Sequence, residues 1–124
     1  MVCDPDDIIN LIMKKDTPLP KQTFEVWHIS KPELITEGYL YPDGLIARWL
    51  NNHENYIKVA EIAATSLEFV WDITQNIDNS WTKNPQVIWS KSHDLRSTSV
   101  GDVIVSNGNA WLVTWQGFTK IVNH

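Results

Sequence analysis

The chain has 124 residues, 43% hydrophobic and 20% charged, proportions of an ordinary globular domain that exclude a disordered or fibrous chain. Its ten Lys and Arg are scattered among fifteen Asp and Glu, a net charge of −5 that lacks the clustered cations needed to neutralise duplex nucleic acid. Cys3 is the only cysteine, which excludes an internal disulfide, a CxxC redox pair and a cysteine-rich zinc cage.

No apolar run approaches the ~18 residues of a membrane span. The start, Met1-Val2-Cys3-Asp4-Pro5-Asp6-Asp7, is acidic where a signal peptide is basic, so the expected location is the cytoplasm, with no membrane partner. One core is expected, since domains cluster at about 100 to 150 residues. Seven Trp (27, 49, 71, 81, 89, 111 and 115) exceed what such a core needs, and Trp is enriched at binding hot spots and base-stacking platforms.

In chain order, Asp4-Pro5-Asp6-Asp7 reads as an N-cap, a helix-starting Pro and a first acidic turn, opening a short amphipathic helix that Lys14-Lys15 and then Thr17-Pro18-Leu19-Pro20 end. Residues 1–20 are accordingly an N-terminal helix and Pro-bounded linker, and 21–124 a single α+β domain. Thr23 to Ile29 forms the first strand, with Phe24, Val26 and His28 on one face and Glu25, Trp27 and Ile29 on the other. Residues 31–54, with Pro32, Gly38, Pro42 and Gly44, read as a long excursion with one short helix at Leu45 to Leu50.

Tyr56 to Ile62 is a second strand. Thr65-Ser66-Leu67-Glu68 matches the capping box and starts a helix over 66–77, with Leu67, Phe69, Val70, Trp71, Ile73 and Ile77 on its apolar face. Asn79 to Pro85 is a polar turn carrying Trp81, and Gln86 to Trp89 a brief strand. Asn107-Gly108, set between apolar runs, is a hairpin signal that joins Gly101–Val105 to Ala110–Trp115, and Gln116-Gly117 turns the chain into Phe118–Val122. The predicted fold is α+β: an antiparallel or mixed sheet with one main helix packed on it, a C-terminal β-meander and the short N-terminal helix.

The segment Arg96-Ser97-Thr98-Ser99-Val100-Gly101-Asp102 is the most informative. A forked guanidinium, three hydroxyls and a backbone-freeing Gly suit a phosphate or ribose; equally, Ser-Val-Gly-Asp is turn chemistry that opens the meander. Asn79, Trp81 and Asn84 form a second candidate, in which the indole stacks on a base and the amides read its edge, unless Trp81 folds back over the helix end. Trp27-His28 on the first strand is a third. The four His show no metal-binding spacing, and no P-loop, G-x-G-x-x-G or G-x-S-x-G is present, so neither metal nor cofactor is expected.

From Tyr56 to Phe118, the pattern Tyr56-x-x-Val59-Ala60, Leu67-Glu68, Thr74-Gln75-Asn76-Ile77, Trp81, Asn84, Arg96 to Val103 and Gly117-Phe118 resembles a family of small bacteriophage and mobile-element proteins. That resemblance covers about half the chain and implies no activity. The chain also resembles the phage anti-Thoeris sponge proteins of the first type, small oligomeric α+β proteins that sequester cyclic ADP-ribose signals between protomers. That similarity implies a homo-oligomer in a host cytoplasm, with Trp81 stacked on adenine and Arg96 on the pyrophosphate. The leading expectation is a non-catalytic sponge for a nucleotide-like ligand, contacted by Trp27, His28, Asn79, Trp81, Asn84, Arg96, Ser97, Thr98, Ser99 and Asp102. A protein-binding inhibitor or adaptor working through exposed Trp, and a small hydrolase using His28 or His93 with Asp102, are the alternatives.

Overall fold

The computed structural model describes residues 21–122, excluding the side chains of residues 37–40. The N-terminal helix predicted within residues 1–20 lies outside the described residues. The elements in order are β1 (Gln22–Ile29), α1 (Glu33–Leu40), α2 (Pro42–Leu50), β2 (Tyr56–Ala64), α3 (Leu67–Ile73), a 3₁₀ turn (Trp81–Lys83), β3 (Val87–Ser90), β4 (Val103–Ser106), β5 (Asn109–Thr114) and β6 (Gly117–Ile121). The six strands form one sheet ordered β3-β2-β1-β4-β5-β6, antiparallel at every pairing. The fold is thus α+β, and the mixed-sheet option is replaced by a wholly antiparallel sheet.

Strand alternation divides the core by face. Phe24, Val26, Val59, Ala60, Ile62, Ile104 and Val113 pack with Val70 and Ile73 of α3 and with Trp81. Ile29, Tyr56, Val103, Leu112 and Ile121 pack on the other face with Leu34 of α1 and with Leu45 and Trp49 of α2. Val59 and Ala60 are adjacent yet share a face, because Val26 pairs with Ala60 and Trp27 with Lys58, which leaves Val59 as the extra residue of a bulge. The freed Val59 carbonyl accepts from the Lys91 amide at 2.7 Å.

The 31–54 excursion contains two helices where one short helix was expected. Its apparent breakers sit where helices tolerate them: Pro32 just before α1, and Pro42 in the first turn of α2, where an amide would lack a partner in any case. Past α2 the chain reverses through Asn52, His53 and Asn55 in the left-handed region, a conformation Asn and His accept more readily than most residues.

Helix α3 is shorter than the predicted 66–77. Ser66, not Thr65, is the N-cap, its hydroxyl accepting from the Phe69 amide at 3.1 Å. At the far end the backbone bonds to a distant loop in place of the next helical turn: the Asn76 amide donates to the Ser97 hydroxyl, and the Thr74 carbonyl accepts from the Thr98 amide. Ile77, expected on the helix's apolar face, is left 81% exposed. The Asn107-Gly108 hairpin is as expected, with φ of +52° and +78° at the two turn residues.

Candidate functional site

Two places among the described residues are candidate points of ligand contact. The first is the Arg96–Asp102 loop, which closes the end of the β1–β4 ladder. Asp102 is fully buried one residue before β4, and its carboxylate accepts from the Ile29 amide at 2.8 Å and the Ser99 amide at 2.7 Å. Arg96 grips the same carboxylate with both terminal nitrogens, at 2.7 and 2.8 Å. It also donates to the carbonyls of Ile29 and Ser97. A guanidinium has five N–H donors, and four of those of Arg96 are engaged within the protein.

The hydroxyl residues of the loop dock it on the end of α3. Ser97 accepts from the Asn76 amide at 2.8 Å, the Thr98 amide donates to the Thr74 carbonyl at 3.1 Å, and Gln75 donates to the Thr98 carbonyl. Asn76 reaches both ways, donating to the Leu95 carbonyl and accepting from the Trp81 amide. Trp81 is only 1% exposed and donates its indole N–H to the Arg96 carbonyl at 2.8 Å. Asn84 caps the helix through the Ile73 carbonyl.

His28 lies beneath this loop, buried, with Nε2 3.0 Å from the Thr98 hydroxyl and 3.8 Å from Asp102. Burial pushes its pKa down from 6.5 to about 4; Asp102 opposes the change and Arg96 adds to it, so the ring is neutral near pH 7. A catalytic relay needs the acid on one ring nitrogen and the hydroxyl on the other. Here Thr98 and Asp102 both face Nε2, and all three side chains are sealed from solvent. Among the described residues there is also no group of three His, Cys, Asp or Glu that could hold a metal ion.

Of the residues expected to contact a ligand, His28, Trp81, Arg96, Ser97, Thr98, Ser99 and Asp102 are brought together here and Asn84 adjoins them, all bonded to one another or to the backbone. The other two lie apart. Trp27 points to the opposite sheet face, edge-on to Trp49 and His53, with its indole N–H on Glu25. Asn79 is exposed and borders a shallow depression of about 270 Å³ with Asp72, Gln75, Asp78 and Asn84.

The second place was not foreseen. Trp71, Val100, Val113, Thr114, Trp115, Gly117 and Phe118 line an open groove of about 410 Å³ between α3 and the β5–β6 turn. Trp115 stands 66% exposed at the two-residue turn closed by Gly117, whose φ of +128° is one that L side chains rarely adopt. The Thr114 hydroxyl donates to the Gly117 carbonyl and accepts from the Gln116 amide, fixing the turn. The sequence signal was a pair of aromatics, Trp115 and Phe118, flanking a tight turn. Trp71, expected on the apolar face of the helix, is partly buried and packs against the core while also bordering the groove.

No helix among the described residues is long and apolar enough to cross a membrane. Comparison with protein-family models, curated proteins and solved structures returned no match.

Proposed function

We propose that this protein is a non-catalytic binding module that sequesters a nucleotide-derived signal such as a cyclic ADP-ribose, and that the aromatic groove is where the ligand sits. The open groove carries this reading. Small-molecule sites are concave and mostly apolar, with volumes of roughly 300 to 1,000 Å³, and the groove of about 410 Å³ fits that description with three aromatic rings in its lining. The internal bonding of Arg96 and the burial of Trp81 favour the groove over the Arg96–Asp102 loop as the point of contact.

The test is mass spectrometry of small molecules released on denaturation, after incubation with lysate from cells whose nucleotide-signalling defences have been triggered. An intact cyclic nucleotide is the expected result. A hydrolysed product would indicate an enzyme, and an empty protein would refute the reading. The proposed assembly is a homo-oligomer, which sedimentation equilibrium tests.

A second reading, a protein-binding inhibitor or adaptor, is favoured by one observation: Ile88 and Trp89 are 58% and 44% exposed on β3, an edge strand. Exposed edges and aromatic anchors are both used to bind proteins. Pull-down of a partner that is lost in Trp89→Ala, with no small-molecule effect, would move the assignment there.

A further inference from the structure

Resting on the groove as the binding site, we infer that it recognises a ligand's uncharged planar ring and leaves any phosphate in solvent, so that it is a nucleobase site and not a phosphate site. None of the lining residues is charged; the Thr114 hydroxyl is committed to the Gly117 carbonyl and the Gln116 amide, and the remaining side-chain polar groups are the neutral indole N–H donors of Trp71 and Trp115. What remains on offer is aromatic surface from Trp71, Trp115 and Phe118, suited to stacking on a flat ring.

No Lys or Arg lines the groove, and several cations elsewhere in the described structure have partners of their own. Arg96 is paired with Asp102, and Lys58 lies 2.8 Å from Glu61 and 3.8 Å from Glu25. Lys120 sits over the Trp111 ring, its ammonium 5.8 Å from the centroid. The net charge of −5 on the whole chain gives a diphosphate no net long-range attraction. Ring stacking therefore supplies the affinity, and phosphate number has little bearing on it.

The experiment is calorimetric titration of the full chain with adenosine, AMP and ADP at low and high salt, repeated with Trp115→Ala. Trp115 is largely exposed and belongs to neither core cluster, so its loss leaves the core undisturbed. The three compounds should bind within about threefold of one another with no salt dependence, since screening acts on charge and not on stacking. The Trp115→Ala protein should keep its unfolding midpoint and lose about tenfold or more in affinity for all three, the scale of one base–aromatic stack. Much tighter, salt-sensitive binding of ADP than of adenosine would overturn this inference while leaving the nucleotide reading intact. If none of the three bound at millimolar concentration, both would fall.

Discussion

Replacing Asp102 by Asn tests whether the Arg96–Asp102 loop is a structural clasp. The carboxylate accepts four hydrogen bonds, from Ile29 N, Ser99 N and both terminal nitrogens of Arg96, at 2.7 to 2.8 Å. An Asn keeps one oxygen, and its amide nitrogen then faces two of those donors. Leaving a buried donor unsatisfied costs about 1 to 3 kcal/mol, and removing one partner of a buried ion pair costs about 3 to 5 kcal/mol. The Arg96 side chain is 36% exposed and regains water once released, which lowers the second figure. About 3 kcal/mol is the expected loss, since the two penalties describe the same broken contacts and do not add. At about 4 °C per kcal/mol for a domain of this size, the midpoint should fall by roughly 12 °C. Urea unfolding followed by Trp fluorescence gives the free energy. Arg96→Lys, which keeps the charge and loses the fork, should cost about half as much, and the Asp102→Asn/Arg96→Ala double variant should cost less than the sum of its singles. A loss below about 1 kcal/mol for Asp102→Asn, with an unchanged denaturant slope, would refute the clasp.

The remaining predictions concern His28, the two contrasting indoles and a helix cap. His28 is held at about 4 in the folded chain against 6.5 ordinarily. The unfolded chain therefore takes up a proton that the folded one refuses, and stability should fall as pH drops from about 6.5 to 4 and then level for this group. The drop would reach about 3 kcal/mol at 1.36 kcal/mol per pH unit; urea midpoints measured across this window should lose that component in His28→Gln, and an identical profile would refute it. Trp81→Ala should cost about 3 to 5 kcal/mol as a large core truncation, whereas Trp115→Ala should stay within about 0.5 kcal/mol, both read by thermal melts. Asn84→Ala, which frees the Ile73 carbonyl at the end of α3, should cost about 1 kcal/mol by the same assay, and no change would remove Asn84 from the cap.

The parts of the fold legible in the sequence were those with local causes. Period-two alternation placed β1 with His28 and Trp27 on opposite faces, and Asn107-Gly108 placed the β4–β5 hairpin, because both signals reside in a few adjacent residues. Helix α1 was missed because Pro32, Gly38 and Pro42 look like breakers until one sees Pro42 used as a helix start. Helix α3 ran long because its apolar spacing continues to Ile77, while its actual stop depends on hydrogen bonds to a loop some twenty residues away. The candidate site shows the same division. The run from Arg96 to Asp102 stood out as chemistry, and its internal bonding to Ile29 and His28 across more than sixty residues of sequence was invisible. The groove escaped notice because Trp71, Val100 and Trp115 come from three separate elements and share no motif.

The central claim is that ligand meets the aromatic groove and not the Arg96–Asp102 loop. It is tested most directly by two-dimensional NMR of the indole N–H resonances as adenosine is added. Each of the seven Trp reports separately. The account predicts that the Trp71 and Trp115 signals shift with saturation while those of Trp27, Trp49 and Trp81 stay in place. Shifts centred on Trp81, or abolished by a folded Arg96→Lys variant and not by Trp115→Ala, would contradict it.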